Sequence, residues 1–146
     1  SSSCFLVGGN LNASKRRFTK TGTAAGQHNG DVVYFGSTTS MTVGRVYIYE
    51  SGVWALASSA AEASAKGMLA VALGAASNTN GMLLRGMVTL SANPGTISDV
   101  LFLSTSGAAT NTAPTGSGKV VRRIGYCLDS TNGQIYFNPD NHYTVL

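Results

Sequence analysis

Short apolar runs alternate along the chain with clusters of turn residues. Apolar positions gather at 32–35, 45–49, 53–56, 68–73, 82–90, 99–104, 120–128 and 134–137, with Gly, Asn, Ser or Pro between most of them. Runs this short, rich in Val, Ile, Leu, Tyr and Phe, predict β-strands rather than helices. Arg45-Val46-Tyr47-Ile48-Tyr49 alternates, which sends Tyr47 and Tyr49 to one face and Ile48 to the other. Glu50-Ser51-Gly52 then turns the chain into Val53-Trp54-Ala55-Leu56, predicting a hairpin. Spacings of about ten residues leave no room for crossover helices, so the expected fold is all-β, an antiparallel barrel or sandwich with short hairpins.

Punctuation along the chain agrees. Pro94 and Pro139 sit in turns and Pro114 in the polar loop 107–118, none inside a strand. Gly86 interrupts 84–88 and predicts a bulge or a close backbone approach. Residues 58–66 are Ala-rich, with Glu62 and Lys66 as an i,i+4 pair. They are too few to hold a helix alone, and a helical turn or a loop is expected there, at most one short helical turn in the chain. Asp31-Val-Val-Tyr-Phe is echoed by Asp99-Val-Leu-Phe-Leu, and Gly44-Arg-Val-Tyr-Ile-Tyr by Gly133-Gln-Ile-Tyr-Phe-Asn. Either a hairpin is duplicated or one strand grammar is used twice. Residues 1–29 show little periodicity, and 21–30 are small, polar and Gly-rich. The expected organisation is an extended N-terminal arm over 1–29 and a β domain over 30–146, ordered from Asp31.

Composition narrows the function. Only 11% of the 146 residues are charged, about half the usual share. Lys15, Arg16, Arg17 and Lys20 carry the whole net charge of +4, because the remaining six basic residues balance the six acidic ones. With Phe18 among them, these four form a candidate partner-docking arm for an acidic surface. A single aromatic does not suit base recognition, and nucleic acid is not the expected partner. Cys127, inside an apolar run, is expected as a buried thiol; a disulfide to Cys4 is the less favoured alternative. No apolar run reaches the roughly 18–20 residues of a membrane span, and residues 1–10 do not read as a signal peptide.

Reactive chemistry is sparse. Asp31, Glu50, Glu62, Asp99, Asp129 and Asp140 all lie at strand ends or turns, no two close in sequence. His28 and His142 have no companion at ligand spacing, so no metal and no cofactor is expected. No Gly-x-Ser-x-Gly elbow occurs. The segment before Lys119 fails as a phosphate loop: Ala113 stands where the first Gly is needed, and Val120 replaces the Ser/Thr. The expectation is a non-enzyme with no catalytic residue. Tyr47, Tyr49, Trp54 and Tyr143 remain as candidates for stacking on a glycan or for contacting another subunit.

Residues 30–146 resemble a recurrent structural domain of tailed-bacteriophage virion proteins, of the marine-phage fibre and capsid-decoration type. The resemblance is carried by Gly30-Asp31-Val32-Val33-Tyr34, Val46-Tyr47-Ile48-Tyr49, Trp54-Ala55-Leu56-Ala57 and the stretch 66–74. It continues through Leu84-Arg85-Gly86-Met87-Val88-Thr89-Leu90, the stretch 95–105, Ile124-Gly125-Tyr126-Cys127-Leu128 and the stretch 134–140. It implies a non-enzymatic particle component located in the virion. That component would be a homotrimer contacting a neighbouring capsid or fibre protein, either as exterior decoration or as a head fibre. The alternative it leaves open is a tail-fibre tip that binds host surface polysaccharide.

Overall fold

The computed structural model describes residues 18–146. The chain is nearly all β. Eleven strands follow in order: β1 (His28–Val33), β2 (Val46–Glu50), β3 (Val53–Leu56), β4 (Met68–Ala72), β5 (Met82–Thr89), β6 (Val100–Leu103), β7 (Ala109–Thr110), β8 (Val120–Val121), β9 (Arg123–Asp129), β10 (Gln134–Phe137) and β11 (Thr144–Val145). A 3₁₀ turn at Glu62–Ser64 falls inside the predicted helical turn. The Gly/Ser/Asn turn after β4 winds into a second short turn, α1 (Ser77–Asn80). Among the described residues no helix is long and apolar enough to cross a membrane.

Nine strands form one antiparallel sheet in the order β3-β2-β4-β5-β10-β9-β6-β7, with β1 also on β5; β8 and β11 pair separately. Strand β5 organises the sheet. It faces β1 from Met82 to Val88, yet Met82 and Leu83 also pair with β4, and Gly86 to Thr89 with β10. A strand has only two edges, so β4 and β10 share the edge opposite β1 and diverge between Leu83 and Gly86. The register slips there: Asp31 faces Arg85 while Val32 faces Leu83, leaving Leu84 as a bulge residue. The sheet forks at that bulge.

Irregular backbone then draws the two ends of the sheet together. Gly107, in the turn between β6 and β7, donates its N–H to Ala57 O and accepts from the Val46 N–H. The Ser59 N–H donates to Ser104 O, and Ser59 O accepts from Val120. A half-barrel results, its inside filled from every major strand: Val46, Ile48, Leu69, Val71, Leu83, Val88, Leu101, Ile124, Ile135 and Phe137 are all buried. A smaller cluster of Met41, Tyr47, Trp54, Ala70, Ala72 and Met82 lies on the other face of β2, β4 and β5. The alternation expected of β2 is therefore observed, Ile48 inside and Tyr47 with Tyr49 outside.

Two boundaries differ from the sequence expectation. The first strand begins at His28, and the body reaches back to Thr19, where an arm was expected through residue 29. Gly26 donates to Thr89 O, the Thr89 hydroxyl donates to Gly22 O, and Asn29 exchanges two hydrogen bonds with the Thr19 backbone. Thr89 and Gln134, cross-strand partners and both buried, clasp Thr21 and Gly22 between them. Small polar residues look like linker because they bury no side chain; here their main chain is what binds. The run 120–128 likewise breaks into β8 and β9 at Arg122, whose side chain turns into the fork.

The second sequence echo has a structural counterpart. Gly44 (φ +80) and Gly133 (φ +72) lie just ahead of β2 and β10, and both pack against the backbone that follows β5. Ser91 donates to Gly44 O and Leu90 to Gly133 O.

Candidate functional site

Two groups of candidate residues came from the sequence, and they fare differently. In the aromatic group, Trp54 is 3% exposed and Tyr47 8%. The segment after β1 folds across the outer face and covers them. The Trp54 indole N–H donates to Phe35 O at 2.9 Å, and the Tyr47 hydroxyl accepts from the Thr42 N–H at 2.8 Å. Phe35, Tyr49 and Trp54 form a three-ring cluster, with Tyr49 5.0 Å from each of the others and Phe35 5.8 Å from Trp54. Neither Tyr47 nor Trp54 has a free ring face for a sugar. That correction follows from cover by the segment 34–41, which alternation cannot foresee. Tyr143 stands apart near the C-terminus, its hydroxyl donating to Glu62 Oε2 at 2.6 Å; this bond and the Glu62 charge hold the phenol above its ordinary pKa.

The rings exposed instead were not singled out: Tyr34, Phe35 and Tyr126. Phe35, stacked on Trp54, joins Val53 and Leu56 as exposed apolar surface at β3, the terminal strand of the sheet path, while Met68 is exposed two strands away on β4. Cross-strand register places Met68 opposite Tyr49 and Leu56 opposite Tyr47, all on the outer face.

In the basic group, Lys15, Arg16 and Arg17 lie outside the described residues. Phe18 sits under the Arg85 guanidinium, 5.6 Å from ring centroid to Cζ. The Lys20 ammonium is 3.0 Å from Asp129 Oδ2, an ion pair within the chain. At this exposure such a pair adds little stability, but it ties Lys20 to the body rather than to a partner.

The acids behave as turn caps. Asp99 Oδ2 accepts from Asn111 Nδ2 at 2.9 Å and from the Thr96 N–H at 2.8 Å, and these bonds hold its carboxyl below the usual range. Asp129 and Asp140 are lowered likewise, foremost by the backbone N–H groups of Thr131 and His142. Each depressed carboxyl stabilises the fold above its ordinary value of 3.8, and the effect fades as pH falls through the lower folded value. Asp99→Asn should therefore lower the urea midpoint at neutral pH and flatten its decline in acid; an unchanged acid limb would show that Asp99 has no part in it. Burial pushes the Cys127 thiol up, keeping it protonated and unreactive; Cys4 lies outside the described residues.

Among the described residues no three His, Cys, Asp or Glu side chains converge on a metal position. What the fold does build is a cationic fork. Arg122, 4% exposed, donates from Nη1 to Ala65 O and Gly67 O at 2.6 Å each and from Nε to Asp140 O at 2.8 Å. Its guanidinium bridges the approach to β4 and the turn after β10 where the sheet divides. No sequence signal marked it beyond an Arg inside an apolar run. No family model, curated protein or solved structure matches the chain.

Proposed function

We propose that the chain is a non-enzymatic structural protein of a bacteriophage particle, assembling as a homotrimer on the exterior as capsid decoration or head fibre. The observation that carries this reading is the apolar band of Phe35, Val53 and Leu56 at the terminal strand β3. An edge strand flanked by exposed apolar side chains is unstable against self-pairing unless a partner covers it. Burying such a band is worth about 25 cal/mol per Å² of apolar surface. The virion resemblance across 30–146 and the low charge support the same reading, since short polar side chains on a rigid sheet suit close neighbours.

Light scattering in solution tests the assembly. A mass three times that of one chain is expected, and Val53→Glu with Leu56→Glu should return it to one. A monomer at tens of micromolar would overturn the trimer. Removing residues 1–17 should abolish binding to the particle while the β body stays folded; undiminished binding would remove the arm from the docking role. Copy number per particle distinguishes the two locations: hundreds belong to a capsid, a few tens or fewer to a fibre.

A further inference from the structure

A strongly basic concavity lies at the fork. A cleft of about 520 Å³ opens where β4 has left β5 and β10 has not yet joined it. Lys66, Arg85 and Arg122 line it, and no acidic residue does. We propose that this cleft binds a carboxylate-bearing saccharide, a uronate unit of an acidic polysaccharide.

Arg122 supplies the anchor. Three backbone carbonyls hold Nε and Nη1, so the guanidinium is fixed in direction before any ligand arrives. Nη2 has no acceptor among the described residues, yet no buried side-chain nitrogen is left unpaired, so Nη2 is not sealed from solvent, and Arg122 lines the cleft. A pre-oriented, desolvated donor of this kind favours a carboxylate over water. Lys66 adds a second charge. The sequence pairs it with Glu62, but the Glu62 carboxylate accepts from Tyr143, and the Lys66 ammonium has no ion-pair partner among the described residues. Arg85 is only loosely compensated, its Nε 4.0 Å from Asp31.

The uncharged lining favours a sugar over a bare anion. The exposed side-chain amides of Asn138 and Asn141 make no hydrogen bond among the described residues, leaving donors and acceptors for hydroxyl groups. Met68 and Pro139 offer apolar surface to the C–H face of a ring. A fully ionised phosphate would use the cations and the amide N–H groups but leave the amide oxygens without a donor, which sugar hydroxyls supply. The turn 138–141 also forms the wall of a second cleft of about 300 Å³, lined by Arg123 and by Tyr126, which is 45% exposed. Asp140 is the acid there, and its carboxylate is engaged by the His142 N–H. Successive units of an acidic glycan would thus meet cations on both sides of the turn and an aromatic face beyond it.

This proposal is independent of trimeric assembly: a trimer that ignores acidic glycans loses only this site, and a monomer that binds them loses only the assembly. Calorimetric titration of the full chain with hexagalacturonate should give saturable binding that weakens with added salt, and maltohexaose should give none. Lys66→Gln combined with Arg85→Gln, both at exposed positions, should weaken binding about tenfold or more with an unchanged urea midpoint. Tyr126→Ala should weaken it further. No saturable binding of hexagalacturonate, equal binding of maltohexaose, or indifference to the double substitution would each overturn the site. Equal binding of hexaglutamate, sensitive to the same substitutions, would overturn the saccharide assignment in favour of a peptide carboxylate.

Discussion

Replacing Gly125 with Ala should destroy the native sheet. A Cβ at this position would lie 1.9 Å from Tyr136 O and 3.3 Å from Phe137 Cα, at a φ of +155 that a side chain rarely tolerates. The obstacle is the backbone of β10, which cannot step aside. Phe137 pairs with Gly125 on one edge and with Gly86 on the other, and Gly86 pairs in turn with Gly30. Three glycines thus meet in one row around a fully buried Phe137, and the strands approach more closely there than any side chain permits. We expect a loss of at least about 4 kcal/mol, a large share of the roughly 5–15 kcal/mol that holds a domain folded. The chain should be insoluble or show a collapsed urea midpoint. Gly118→Ala is the control: its φ is +80, but nothing lies within 4 Å of the added methyl. It should cost only the backbone strain of about 1–2 kcal/mol. Similar midpoints for the two variants would contradict the close-approach argument.

Arg122→Met should cost about 3 kcal/mol, or roughly 9 °C in melting temperature. Replacing a buried charge by an apolar residue is often neutral when its partner is replaced as well. Here the partners are main-chain carbonyls of Ala65, Gly67 and Asp140, which no side-chain substitution removes. Left without donors at the fork, they bear the full cost of desolvation. Burial lowers the Arg122 pKa and the nearby Asp140 charge opposes that, yet an arginine stays charged throughout the accessible range. Arg122→Lys should fall between parent and Met, because one ammonium cannot span three carbonyls in the guanidinium's fixed geometry. Thermal denaturation followed by circular dichroism measures all three, and a Met variant as stable as the parent would show that the carbonyls find water instead.

Much of the β architecture is legible in local pattern. Short apolar runs bounded by turn residues located β2, β3, β5, β6 and β10 within a few residues, and alternation assigned the faces of β2 correctly, because side-chain direction along a strand has period two whatever the surroundings. Turn chemistry was equally local: Ser51 (φ +54) and Gly52 (φ +82) both take the left-handed conformation that a two-residue hairpin needs. Gly86 was marked as a bulge or a close backbone approach from its place inside an apolar run; it is the close approach, and the bulge residue is Leu84.

The candidate sites were far less legible. Periodicity assigned Tyr47 and Trp54 to the outer face, but whether that face meets solvent depends on where residues 34–41 travel, a long-range outcome absent from the run itself. For the same reason the polar segment 19–27 resembled a free arm: the hydrogen bonds that dock it belong to Thr89 and Gln134, far along the chain. Arg122 became an internal bridge because β5 takes two partners on one edge and leaves a gap only a long, multiply donating side chain can span. By itself, then, the amino-acid order determined strand positions, turns and the all-β class, which are set by neighbours in the chain. Tertiary structure alone decided the fork, the buried cation and which aromatics remain uncovered, because these follow from strand pairing across distances no local pattern encodes.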